Sequence, residues 1–134
     1  MASLIRVEGI GPVYTQQLKD AGIRSTEALL EAGKTPQGRK DLAEKSEISG
    51  KLILEWVNHV DLFRIKGVFE EYADLLEEAG VDTVPELAQR NAENLYAKLV
   101  ATNEEKKLVR RLPTQKQVSD WVAQAKDLPR IITY

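Results

Sequence analysis

Arg6-Val7-Glu8-Gly9-Ile10-Gly11-Pro12 is the stretch of this sequence best suited to chemistry, and that chemistry is anion binding. A glycine at position 9 can take a backbone angle closed to larger residues. Ile10 can then plug an apolar seam while Gly11 leaves the next helix start uncovered. Proline suits a first helical turn, where its missing N–H is not needed. The open N–H groups of such a start carry partial positive charge and can hold an anion. Arg6 and Lys19 add positive charge nearby; Tyr14, like its equivalent Tyr72, is expected to brace the hairpin seam, and its hydroxyl could still reach a bound phosphate. A second basic group, Lys106-Lys107-Leu108-Val109-Arg110-Arg111 with Lys116 beyond it, is a candidate patch for phosphate or an acidic partner. Its bland alternative is a solvated helix face, with Glu104 and Glu105 offsetting part of the charge.

Other chemistry finds little support. His59 is the single histidine. It lacks the clustered His and Cys of a zinc site and an evident nucleophile to serve as base. The pairs Glu70-Glu71, Glu77-Glu78 and Glu104-Glu105 are adjacent, so on a helix they diverge by about 100° and read as solvated faces. Trp56 and Trp121 could stack on bases, but each falls on the apolar stripe of its helix and reads as core. No phosphate-binding loop with an invariant lysine and no nucleophile elbow occurs. The expectation is a protein that is not an enzyme and uses no cofactor and no metal.

Composition sets outer bounds. The 134 residues are 43% hydrophobic and 30% charged, enough to bury a core. There are no cysteines, which excludes disulfides and thiolate ligands. No run approaches the roughly 20 apolar residues of a membrane span, and no secretory leader is evident. The expected location is therefore cytoplasmic, away from membranes. With net charge -2 and pI about 5.5, any grip on nucleic acid has to come from a local patch.

The elements that must position these residues are written twice. Gly9, Ile10, Tyr14, Leu18 and Ala21-Gly22-Ile23 recur 58 positions later as Gly67, Val68, Tyr72, Leu76 and Ala79-Gly80-Val81. Trp56-Val57 returns as Trp121-Val122 at a spacing of 65, so the second copy has gained about seven residues, placed here in Thr102 to Arg111. Gly22 and Gly80 suit helix C-termini. Ser25, Thr35, Ser49, Thr83 and Thr114 suit N-caps, with Thr83-Val84-Pro85-Glu86 fitting a capping box. Leu52, Ile53, Trp56, Val57, Val60 and Phe63 recur at three and four, which predicts a long helix from Ser49 to about Phe63. Only Leu4-Ile5 and Ile131–Tyr134 read as extended.

Arg6 to Pro12 resembles a helix-hairpin-helix signature. Gly9-Ile10-Gly11-Pro12-Val13-Tyr14, Leu29-Leu30-Glu31-Ala32-Gly33, Glu55-Trp56-Val57-Asn58-His59 and Arg64-Ile65-Lys66-Gly67-Val68 together resemble a family of duplicated helix-hairpin-helix proteins known mainly as a domain of unknown function. The resemblance implies that the anion is a DNA backbone phosphate, held without sequence preference. This chain departs from the pattern at Val13, where many DNA-binding hairpins carry a basic residue. It departs further at Phe69-Glu70-Glu71, where a side chain and two carboxylates replace an open turn. The expected fold is all-α: tandem helix-hairpin-helix repeats, residues 1–63 and 64–134, packed as one body of about eight to ten short helices. The expected function is a non-catalytic binding module. It holds DNA backbone through Gly9, Ile10, Gly11, Arg6, Tyr14 and Lys19, helped by Lys106, Lys107, Arg110 and Arg111. The alternative is a protein-interaction or scaffold module that has lost DNA binding. Of the two hairpins, only the first is expected to keep anion-binding geometry.

Overall fold

Helix punctuation in the sequence translates directly into elements. In a computed structural model, which describes residues 3–7 and 9–134, a 3-10 helix (Leu4–Arg6) precedes eight α-helices. These are α1 (Pro12–Asp20), α2 (Thr26–Gly33), α3 (Pro36–Ser46), α4 (Gly50–Leu62), α5 (Glu70–Glu78), α6 (Val84–Ala88), α7 (Ala92–Lys106) and α8 (Gln115–Asp127). No strand occurs among the described residues. None of the helices is long and apolar enough to cross a membrane. Glu8, part of the motif at the first turn, lies outside the described residues, as do Met1 and Ala2.

Most predicted caps form. Ser25 Oγ accepts the Ala28 N–H at 3.1 Å, and Thr35 Oγ1 accepts that of Gly38 at 3.0 Å. Thr114 and Gln117 make a reciprocal capping box at α8. The box predicted at Thr83 does not form. There the Glu86 carboxylate instead takes the Thr83 hydroxyl and the Asp82 N–H, both at 3.4 Å. Leu4-Ile5, expected as extended, is helical, with the Val7 N–H closing on the Leu4 carbonyl at 3.1 Å.

The chain forms two compact units, Met1–Asp61 with Ile131–Tyr134, and Leu62–Arg130. The division at 63/64 expected from the repeat shifts by two residues, and the C-terminal tail moves to the first unit. The tail's contacts explain why. Ile132 is buried, and the Thr133 N–H donates to the Lys34 carbonyl at 2.8 Å. Arg39 donates to the carbonyls of Gly33 and Thr133, both at 2.9 Å. Its guanidinium also lies 5.6 Å from the centre of the Tyr134 ring. The Tyr134 hydroxyl reaches Asn58 Oδ1 at 2.7 Å.

Within each unit, a tryptophan sits at the centre of the apolar stripe. Leu18, Leu29, Ile53, Trp56 and Val57 are buried in the first. In the second, Leu75, Leu76, Leu87, Leu95, Leu99, Val118 and Trp121 form one buried cluster. Tyr14 meets Trp56 edge-on, centroids 5.0 Å apart. Tyr72 meets Trp121 at 5.3 Å. Both tryptophans are thus packing residues with an aromatic neighbour.

The backbone hydrogen bonds of the two units keep the 58-residue spacing. Ile10 N–H to Val7 carbonyl matches Val68 to Ile65, and Thr15 to Gly11 matches Ala73 to Phe69. Helices α1 and α5 both close on a glycine-centred Schellman turn, Ile23 N–H to Leu18 and Val81 N–H to Leu76, each 2.8 Å. The spacing drifts later. Left-handed caps stand at Glu47 and Lys107, 60 positions apart, while α4 and α8 begin 65 apart. Five of the extra residues therefore lie between Lys107 and α8, somewhat beyond the centre of the stretch predicted to hold them.

Candidate functional site

The first turn is built from two glycines with different duties. Gly9 has φ +91°, and a Cβ there would stand 3.3 Å from Trp56 Nε1. The backbone angle calls for glycine, and the tight approach of Trp56 adds to that preference. Ile10 is buried, as its role of plug demands. Gly11 is the N-cap of α1 with φ −88°, an angle any residue adopts. A Cβ at Gly11 would meet nothing within 4 Å. Its effect is to leave the helix start bare.

Among the described residues no side chain is seen to cap that start: its N-cap, Gly11, has none to offer, and Pro12 occupies the first turn. The Val13 and Tyr14 N–H groups have no intrahelical acceptor, as at any helix start. They point their partial positive charge outward. Arg6 is exposed at the end of the 3-10 helix. Ile5 and Val13, exposed by 52% and 73%, flank the turn with apolar surface. Gly9, Ile10, Gly11 and Tyr14 are therefore gathered at one turn, with Arg6 just before it. Lys19 is not among them: it is exposed in the last turn of α1, at the opposite end of that helix.

The second turn keeps the backbone but differs in the residues at the helix start. Gly67 has φ +96°, and its Cβ would stand 3.2 Å from Trp121 Nε1. Val68 is buried. Phe69 takes the N-cap position that Gly11 holds in the first unit, and Glu70 and Glu71 fill the first turn of α5. Phe69 is 58% exposed. Carboxylates at a helix start satisfy its partial positive charge and repel an incoming anion.

The basic run divides. Lys106 ends α7 and pairs with the Glu78 carboxylate. That hydrogen bond and charge hold the Lys106 ammonium above the usual lysine range. Lys107, with φ 51°, reverses the chain, and the residues after it form a loop rather than the helix face weighed as the alternative. The loop is fastened at three points. Val109 N–H donates to Asn103 Oδ1 at 2.9 Å, and Asn103 Nδ2 returns to the Val109 carbonyl at 3.2 Å. The Tyr72 hydroxyl donates to the Arg111 carbonyl at 3.0 Å. Lys107, Arg110 and Arg111 are exposed.

His59 is buried. Among the described residues no cluster of three or more His, Cys, Asp or Glu side chains could hold a metal. Arg39 is a buried anchor of the tail. No local pattern signals this, because its partner Thr133 is 94 positions away.

No curated protein and no solved structure matches the chain. A family model does match, over residues 8–128, which takes in both turns, both tryptophans and the basic loop; the chain belongs to the family described as Domain of unknown function (DUF4332).

Proposed function

We propose that this protein is a non-catalytic cytoplasmic binding module made of two helix-hairpin-helix copies, whose first turn holds the phosphate backbone of DNA without reading sequence. The observation that carries the reading is the start of α1, where the N-cap Gly11 carries no side chain and a Cβ would meet nothing within 4 Å. The duplication is supported by the turn hydrogen bonds that recur 58 positions apart. Backbone N–H groups and a helix dipole recognise phosphate by charge and geometry, which positions a duplex without specifying bases. The asymmetry of the turns favours the first for this role, since Phe69, Glu70 and Glu71 place an aromatic ring and two carboxylates at the second.

Anisotropy titrations of labelled duplexes of two unrelated sequences, over a salt series, test this. Both duplexes are expected to bind alike, with affinity falling as salt rises. Gly11→Phe, which borrows the residue of the second turn, is expected to weaken binding about tenfold, the loss of roughly one anion contact. It should leave the denaturation midpoint unchanged. Absence of binding at low salt would sink the reading.

A protein-interaction or scaffold role is the second reading. Ile5 and Val13 beside the first turn and Phe69 at the second are large exposed apolar side chains, and apolar surface favours protein partners over a polyanion. Ile5→Gln with Val13→Gln, which adds no charge, would weaken a protein contact while sparing the N–H groups that DNA would use.

A further inference from the structure

We propose that the second unit holds a nucleic-acid backbone through Lys107, Arg110 and Arg111 on the loop before α8, in place of its closed turn. This rests on the nucleic-acid reading above, but not on the first turn.

The loop is the largest departure between the two units. Three residues, Glu47 to Ser49, join the left-handed cap of α3 to α4. Eight residues, Lys107 to Thr114, make the corresponding join from α7 to α8. The short join carries a glutamate; the long one carries three cations. The long join is fastened by side chains of α5 and α7. Asn103 clamps both backbone groups of Val109, Val109 is buried, and the Tyr72 hydroxyl holds Arg111. A cation on a fastened loop loses less freedom on binding than one on a loose tail.

Charge accounting favours an anionic ligand. Lys106 is committed to Glu78. Lys107, Arg110 and Arg111 form no ion pair among the described residues. Glu104 and Glu105 precede the reversal at Lys107 and belong to the last turn of α7. The intervening apolar residues are turned inward: Val109 is buried, and Leu108 and Leu112 are half-buried against the core. The exposed face thus offers cations without the apolar or aromatic centre that protein interfaces use. Guanidinium forks suit phosphate oxygens.

The test uses the full chain and a labelled duplex over a salt series. The loop triple variant Lys107→Gln/Arg110→Gln/Arg111→Gln is compared with a control of equal charge change at exposed lysines of the first unit, Lys40→Gln/Lys45→Gln/Lys51→Gln. The loop variant is expected to lower the slope of log affinity against log salt by about 2–3, at roughly 0.9 per phosphate contact, and to weaken binding at least about tenfold. The control is expected to stay within about twofold. Equal losses in both would overturn the proposal, since net charge alone would then explain them. Parental affinity in the loop variant would overturn it too, as would tighter binding to polyglutamate than to the duplex. A loss in the loop variant with none in Gly11→Phe would uphold the loop while removing the first-turn reading. The reverse pattern would remove the loop and keep the turn.

Discussion

Gly9 and Gly11 look interchangeable in the sequence, yet the structure asks different things of them. At Gly9 the positive φ disfavours any side chain, and the indole of Trp56 would have to give way to a Cβ. Gly9→Ala is expected to destabilise the protein by about 1–3 kcal/mol, the cost of a left-handed angle for a residue with a Cβ. At Gly11 neither constraint applies. Gly11→Ala is expected to change stability by less than about 0.5 kcal/mol. Urea denaturation of both variants separates them, and equal losses would contradict this division of labour. The sequence names both residues as a motif, but only the φ and the position of Trp56 show which serves the fold and which leaves the helix start open.

At the scale of elements, local signals proved legible and distant ones did not. Gly22 and Gly80, Ser25, Thr35 and Thr114 mark helix ends through hydrogen bonds spanning five residues or fewer. Three features escaped such reading. The Leu4–Arg6 turn is too short for a period. Lys107 takes a left-handed cap usually signalled by Gly or Asn. The tail 131–134 is fixed by residues 76 to 99 positions away. Thr114→Ala removes one half of the α8 capping box and is expected to cost about 1 kcal/mol by thermal or urea denaturation. Arg39→Ala removes two donors, one of them holding the tail. It is expected to cost about 2–3 kcal/mol, as for hydrogen bonds from a charged group. Hydrogen exchange should show the Thr133 amide losing protection in Arg39→Ala. Retained protection there would mean that Ile132 and Lys34 hold the tail unaided.

For the whole molecule, the net charge of -2 is the governing fact. An acidic chain has no general attraction to a polyanion, so any grip on DNA must be local and must weaken steeply with salt. The two places proposed for it lie in different units: the turn at Gly11 and the fastened loop carrying Lys107, Arg110 and Arg111. The equivalent turn at Phe69 is unsuited to the task. The central claim is this inequality of two turns built on one scaffold. It is tested most directly by following backbone amide NMR shifts while a short DNA duplex is added. The account predicts saturable shifts at the Gly11, Val13 and Tyr14 amides and none at Phe69, Glu70 and Glu71. Shifts at Phe69–Glu71 equal to or larger than those at Gly11–Tyr14 would contradict it.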